Sequence, residues 1–177
     1  MKAGFIAFAL AGLLSAAPAL ADTINFNQLP TGDLGTGAVT VDGVTFNGPV
    51  NLYNTSQFVF PTAGGSICSY DPNAESCSND MTVKFNGKVK RLRLASAGHA
   101  EGDSVTISVF RGVNNLGSVT ITANQAINLR SFGRVTKLVF DDNSTASGYN
   151  FGKFRFTRPP VIAKDQAATN PRRAKRK

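Results

Sequence analysis

Alternation of apolar and polar residues is the feature that most constrains how this chain can fold. In 81-MTVKF-85 the apolar Met81, Val83 and Phe85 share one face, and 105-VTISV-109 repeats the same spacing. A period of two residues is typical of a half-buried β-strand. No sustained helical periodicity appears after residue 22. The sequence therefore predicts an all-β protein.

About twelve short segments show this alternation or a similar enrichment in β-branched and aromatic residues, with Gly- and Asn-rich turns between them. They are residues 23–26, 38–41, 44–46, 50–53, 57–60, 81–85, 89–95, 105–109, 116–122, 126–129, 135–141 and 149–157. Asp42-Gly43 lies between two of them and is a two-residue hairpin signal that needs positive φ. The predicted fold is a single-domain antiparallel β-sandwich of jelly-roll-like form.

The first 21 residues predict a signal peptide. Lys2 is followed by an apolar stretch and then by Ala19-Leu20-Ala21, which is an A-x-A cleavage signal. Cleavage there leaves a mature chain that begins at Asp22, and we expect that chain to be exported to the periplasm or the extracellular space. No later segment is apolar enough for us to expect a membrane span.

Only two cysteines occur, Cys68 and Cys77. In an exported chain they predict a disulfide that closes a short loop. Free thiols or a metal pair are the alternatives, and no histidine lies nearby in sequence to support a metal.

The chain divides by charge into a nearly neutral domain, residues 22–158, and a basic tail, residues 159–177. Residues 161–177 carry six cations against one acid, whereas residues 22–160 carry twelve cations against ten acids. The tail lacks aromatic residues and is predicted to be disordered. Its terminal cations are Arg172, Arg173, Lys175, Arg176 and Lys177. Because the signal peptide directs the chain outward, we expect contact with anionic envelope polymers or headgroups rather than with nucleic acid. Cations that simply keep the tail solvated are the alternative.

Hydrolytic chemistry finds little support. The chain has one histidine, His99, and its only glutamates are Glu75 and Glu101. No GxSxG or HExxH motif is present. We therefore expect no enzymatic activity. A hydrolase of unknown type is the least favoured of three hypotheses for the function.

Two acidic stretches suggest structural calcium. In 71-DPNAESCSND-80, oxygen-bearing residues occupy positions 1, 3 and 5 of a calcium loop, but Ser76 and Thr82 replace the Gly and Glu of an EF-hand. A looser oxygen cage and a plain acidic turn both remain open. The candidate ligands there and in a second stretch are Asp71, Asn73, Glu75, Asp80, Asp141 and Asp142.

The long connections are predicted to meet at one end of the sandwich, because successive antiparallel strands alternate in direction. These connections are residues 27–37, 61–80, 96–103 and 142–148, and the short turns 42–43, 54–56, 86–88 and 112–115 fall at the other end. Binding groups concentrate on such loops. The candidate ligand-binding residues are Tyr70, Asp71, His99, Glu101, Asp103 and Asn143.

Three other sequence features give weaker indications of a binding function. GDLGTG at residues 32–37 has the letters of a phosphate loop but opens no predicted helix, so we expect a flexible connection. Arg91 and Arg93 share one strand face, as do Lys153 and Arg155, which predicts either a basic stripe or a solvated outer face. Sugar-binding platforms use Trp or Tyr faces, and this chain has three tyrosines and no tryptophan.

Several stretches, among them 23-TINFNQLPTGDLGTGAVTVDGVTF-46, 81-MTVKFNGKVKRLRLAS-96 and 135-VTKLVFDDNSTASGYNFGKFRF-156, resemble the β-sandwich of bacterial PEP-CTERM-type exported proteins. Those domains are similar to galactose-binding-like jelly rolls, which often carry a structural calcium. The chain departs from that family because it lacks the Pro-Glu-Pro motif and the membrane helix, so the family's surface-sorting route is not expected. The resemblance implies a module that binds a glycan or another extracellular polymer, and a structural or adhesive matrix protein is the alternative.

Overall fold

A computed structural model describes residues 21–55, 65–144 and 148–159 of the chain. All of them belong to one compact unit, built from twelve β-strands and two short 3-10 helices, with no α-helix in the described part. The all-β prediction is confirmed. The predicted strand 57–60, the predicted signal peptide up to residue 20 and the basic segment from residue 160 lie outside the described residues.

The strands follow one another closely along the chain. They are β1 (Ala21–Thr23), β2 (Gly32–Thr36), β3 (Val39–Val41), β4 (Val44–Asn47), β5 (Asn51–Thr55), β6 (Ser66–Tyr70), β7 (Met81–Ala97), β8 (Val105–Arg111), β9 (Asn114–Ile121), β10 (Ala126–Asn128), β11 (Val135–Asp142) and β12 (Asn150–Thr157). The 3-10 helices cover Phe26–Gln28 and Arg130–Phe132.

Every strand pairing is antiparallel, and the order along the main path is β2-β5-β6-β12-β7-β11-β8-β9. The long strand β7 belongs to two layers. Its second half pairs with β12 and β10, which with β1, β2, β5 and β6 form layer A. Its first half pairs with β4 and β11, which with β3, β8 and β9 form layer B.

Aromatic contacts between the layers form the core. Phe46 of β4 lies with its ring centroid 5.5 Å from that of Phe154 of β12. The ring centroids of Phe140 of β11 and Phe151 of β12 lie 4.4 Å apart. These side chains are almost completely buried. Burial of rings from both layers against each other confirms the predicted sandwich.

The prediction of two strands separated by a turn at residues 86–88 is wrong. Residues 81–97 form one strand that passes from layer B to layer A. Gly87, at φ +93°, and Arg91, at φ +54°, interrupt the regular extension. Val89 stays buried between these two positions. The chain therefore bends at bulge-like irregularities without reversing.

Three local predictions need correction. The segment 23–26 is strand only to Thr23, because the Asn25 side chain accepts from the Asn27 backbone amide and the chain enters a 3-10 helix. Residues 32–36, expected to be a flexible connection, pair with β5 as β2. Residues 66–70, expected within a long loop, form β6. The hairpin at Asp42-Gly43 is confirmed, with φ of 49° and 69°.

The disulfide between Cys68 and Cys77 is confirmed. It ties β6 to the segment 71–77, which is also held by the antiparallel bridge between Asp71 and Ser76 and by a bridge from Cys77 to Gly148. Neither of the two short helices described is long and apolar enough to span a bilayer.

Candidate ligand-binding surface

Layer A has one face in the core and one face outside. Leu92 and Leu94 of β7 and Phe154 of β12 are buried, as predicted from their alternation. Arg93 and Arg155 lie on the opposite, exposed face. Side chains of adjacent residues in a strand point to opposite faces, so this outer face continues across β6, β5 and β2. On β6 the residues Ser66 and Cys68 of this face are buried, and Tyr70 is partly exposed.

Two tyrosines lie side by side on this outer face. Tyr53 is in the middle of β5 and Tyr70 is the last residue of β6. Their ring centroids are 4.9 Å apart and the rings are tilted by 38°. Both side chains are half-buried, so each ring presents part of its surface to solvent.

A carboxylate and an amide flank the tyrosine pair. Asp33 of β2 lies opposite Tyr53 in the strand register, and Asn51 of β5 lies opposite Tyr70. The Asn51 side-chain amide donates to the Asp33 carboxylate over 2.6 Å. The other carboxylate oxygen of Asp33 accepts from the Gly35 backbone amide over 2.7 Å. Both polar groups are therefore fixed in position beside the rings.

The environment of Tyr70 keeps its phenol protonated. Partial burial raises the pKa of Tyr70, and the nearby charge of Glu75 raises it further. Asp33 and Asp71 add smaller effects in the same direction. A phenol is already protonated at neutral pH, and the raised pKa keeps this hydroxyl a hydrogen-bond donor to more alkaline pH.

The predicted meeting of long connections at one end is found in part. The Asp142 backbone amide donates to the Asp80 carboxylate over 3.0 Å. The His99 ring lies 5.9 Å from the ring of Tyr149, whose hydroxyl donates to the Asp103 carbonyl oxygen over 3.3 Å. Segments 71–80, 96–103 and 142–148 therefore come together where they are described.

The connection 27–37 does not join them as a whole. Gln28 lies at the other end of the domain, where its side-chain amide donates to the Asp42 carboxylate over 3.3 Å. The Asn25 backbone amide donates to the same carboxylate. These contacts tie the start of the connection to the β3–β4 turn, and the prediction for this connection is wrong.

The predicted calcium ligands are spread among separate local contacts. The Asp71 carboxylate accepts from the Asn73 backbone amide over 2.8 Å, which is an Asx turn. Asn73 and Glu75 are exposed, as is Asp141 on β11. Among the described residues no three His, Cys, Asp or Glu side chains are grouped so that they could hold a metal ion. Calcium binding stays a prediction without structural support.

The predicted ligand-binding residues also divide. Tyr70 lies beside Tyr53 on the outer face of layer A, and Asp71 begins the turn that its bridge to Ser76 closes. Asp103 is buried, its carboxylate accepting from the Ala100 backbone amide over 2.9 Å. Glu101 is exposed, and the Asn143 backbone amide donates to the Ser104 carbonyl oxygen over 2.9 Å.

Burial dominates the electrostatics around Asp142. It raises the pKa of this carboxyl, and the charge of Asp103 adds to the increase, while hydrogen bonds from Ser144 oppose it. Burial also raises the pKa of Tyr149, with the charges of Asp103 and Asp142 as further causes.

Sequence reasoning missed part of this surface. Tyr53 and Asn51 share a face of a predicted strand, which was the available signal, but nothing in the sequence showed that β6 would pair beside them.

No protein-family model matches the chain, and comparison with curated proteins found no similar sequence. The resemblance to PEP-CTERM-type proteins stays a prediction.

Proposed function

We propose that this protein is an exported, non-enzymatic binding module that takes a polyhydroxylated glycan on the Tyr53–Tyr70 pair. The observation that carries the proposal is the placement of two half-exposed rings 4.9 Å apart beside the hydrogen-bonded pair of Asn51 and Asp33. Aromatic faces and fixed planar polar groups are complementary to the two kinds of surface that a sugar ring presents.

The rings supply apolar contact area. A sugar ring has C–H groups on its faces, and these pack on an aromatic surface with little loss of side-chain freedom, because a tyrosine has few rotatable bonds. The tilt of 38° between the rings gives the surface an angular shape rather than a flat one. An angular surface favours a ligand with a bend or a branch over a flat ring system.

The polar groups supply orientation. The Asp33 carboxylate accepts hydrogen bonds only, whereas the Asn51 amide both donates and accepts. The Tyr70 hydroxyl can donate, because a tyrosine is protonated at neutral pH. Donors and acceptors fixed on one side of the rings select hydroxyl groups at particular positions on the sugar.

The disulfide positions the aromatic pair. Cys68 lies opposite Tyr53 in the register of β5 and β6, and Tyr70 follows Cys68 by two residues on the same strand face. The link to Cys77 is a covalent constraint on this part of β6. An intramolecular disulfide is typical of proteins from oxidising compartments, which supports export.

A glycan array tests the proposal, using the mature chain from Asp22 in about 0.3 M salt so that contacts by the basic tail are screened. We expect signals on neutral glycans that fall about tenfold or more in Tyr53→Ala and Tyr70→Ala, a loss of about 1.4 kcal/mol. Phe110→Ala is the matched control, because Phe110 is a half-buried aromatic residue of β8 in layer B. Glycan signals that persist in both tyrosine variants would overturn the proposal.

A further inference from the structure

A groove crosses the outer face of layer A, away from the two tyrosines. It has a volume of about 390 Å³ and runs over β7 and β12, with β10 on one side and the start of β6 on the other. Gln125 and Asn150 lie on its walls, and Arg93, Lys153 and Arg155 lie along it. The volume is at the lower end of the range for small-ligand sites.

The floor of the groove consists of small residues. Ala95 of β7 lies opposite Gly152 of β12 on one side and opposite Ala126 of β10 on the other. Gly152 has no room for a side chain, because an added Cβ would lie 2.8 Å from the Gly65 carbonyl oxygen. The floor is therefore open at Ala95 and Ala126, whereas the Gly65 carbonyl oxygen and Ser66 cover Gly152.

The cations on the groove have no acidic partners among the residues that the structure describes. Arg93 and Arg155 lie directly opposite each other across β7 and β12, and like charges in this arrangement destabilise a sheet. The ion pair seen in the described part of the chain joins Arg158 to Asp22 instead, and no acidic residue lines the groove. Lys153 also has a φ of 52°, an unfavourable conformation for a long side chain. No ion pair with a described acidic residue therefore stabilises the three positive charges on this groove. At Lys153 the backbone conformation is unfavourable as well.

The Ser66 side chain also favours a ligand with hydrogen-bond acceptors in this groove. Ser66 lines the groove opposite Gly152 and is only 4 % exposed. Its hydroxyl has no hydrogen-bond partner among the described residues. A buried hydroxyl without a partner costs free energy, and rotation of this side chain toward a ligand acceptor in the groove would remove that cost.

We propose that this groove binds an organic anion whose acidic group is a carboxylate. The guanidinium groups of Arg93 and Arg155 hold its acidic group, because arginine pairs with carboxylate, sulfate or phosphate in bidentate geometry. The uncharged body of the ligand lies on the floor formed by Ala95 and Ala126, and the Ser66 hydroxyl donates to it once this side chain rotates toward the groove. This site is separate from the tyrosine pair and requires no glycan on those rings.

Calorimetric titration of the mature chain with four probes tests the proposal. The probes are glucuronate, a polyuronate, glucose and inorganic phosphate. We expect binding of glucuronate or the polyuronate that weakens as salt rises, and none of glucose. If glucuronate binds, the ligand is a free small anion. If only the polyuronate binds, the ligand is an acidic sugar unit within a polysaccharide. Binding of phosphate but of neither uronate would overturn the proposal, because the floor would then contribute nothing.

Three variants locate the binding. Arg93→Gln with Arg155→Gln should weaken uronate binding at least tenfold, and Ser66→Ala should weaken it severalfold. Arg111→Gln, an exposed arginine at the end of β8, should leave it unchanged. Tyr70→Ala should also leave it unchanged, so failure of the glycan proposal and failure of this one can be told apart. Equal uronate binding by the wild type and the double arginine variant would overturn the proposal and assign the binding to the basic tail.

Discussion

Arg93 of β7 and Arg155 of β12 lie directly opposite each other in antiparallel register on the exposed face of layer A. Their repulsion predicts that Arg93→Gln stabilises the ligand-free protein at low ionic strength by about 0.5 kcal/mol. The gain should shrink as salt is added, because both charges are exposed and screened. Thermal melts in a buffer without organic anions measure this, with Arg111→Gln as the control. A lower melting temperature of Arg93→Gln at low salt would show that Arg93 has a stabilising partner.

Asp142 makes stability depend on pH. Because burial raises the pKa of its carboxyl in the folded state, the folded protein binds this proton more tightly than the unfolded chain does. The resulting stability is present below the pKa of an unfolded aspartate, about 3.9, and is lost as pH rises through the higher folded pKa. Asp142→Asn should therefore raise the melting temperature at pH 7 and have little effect near pH 3.

The control for this prediction is the neighbouring residue. Asp141 is exposed on β11, so Asp141→Asn should change the melting temperature little at either pH. A melting temperature of Asp142→Asn below that of the wild type at pH 7 would mean that the ionised carboxylate stabilises the fold through its hydrogen bonds from Ser144.

The Cys68–Cys77 disulfide should support both stability and the tyrosine surface. Closing a loop of this size contributes about 2–3 kcal/mol in the chain-entropy description. Cys68→Ala with Cys77→Ala should lower the free energy of unfolding by that amount and weaken glycan binding, because Tyr70 lies two residues from the lost link. Denaturant melts of this variant should match those of the reduced wild type. Unchanged stability on reduction would contradict the prediction.

The sequence was informative where alternation was strong and uninformative where pairing with neighbours decides the structure. Val105, Ile107 and Val109 alternate with polar residues, and β8 lies where this pattern predicts it. Residues 66–70 show no such contrast, because four of the five, including Ser66 and Ser69, are buried. Residues 32–36 contain a single apolar residue, Leu34, and are strand because β5 pairs with them. Strand propensity depends on such neighbours more than on the backbone itself.

The binding surface was harder to predict for the same reason. The opposite faces of Arg93 and Leu94 follow from alternation within one strand. The proximity of Tyr53 to Tyr70, and of Arg93 to Arg155, depends on which strands become neighbours and in which register. A slip of one residue would move each side chain to the other face. Pairing partners of that kind are set by the whole core and cannot be deduced from one segment.

Arg158 makes three contacts with the rest of the described domain. Its guanidinium lies 3.0 Å from the Asp22 carboxylate, donates to the Asp42 carbonyl oxygen and lies 5.0 Å from the centre of the Phe156 ring. Truncation after Arg158 should leave the melting temperature unchanged and weaken adsorption to anionic surfaces. Arg158→Ala should cost about 1 kcal/mol or less, since the ion pair is partly exposed. A large loss of stability on truncation would place the domain boundary further along the chain.

Binding of a glycan on the outer face of layer A is tested most directly by nuclear magnetic resonance. The mature chain, labelled with nitrogen-15, is titrated with the glycan that gives the strongest array signal, and the amide shifts are followed residue by residue. We expect the largest shifts at Asn51, Tyr53 and Tyr70, with small shifts at His99, Asp103 and Asn143. Largest shifts at His99, Asp103 and Asn143 would contradict the proposed site and place binding at the loop end of the sandwich.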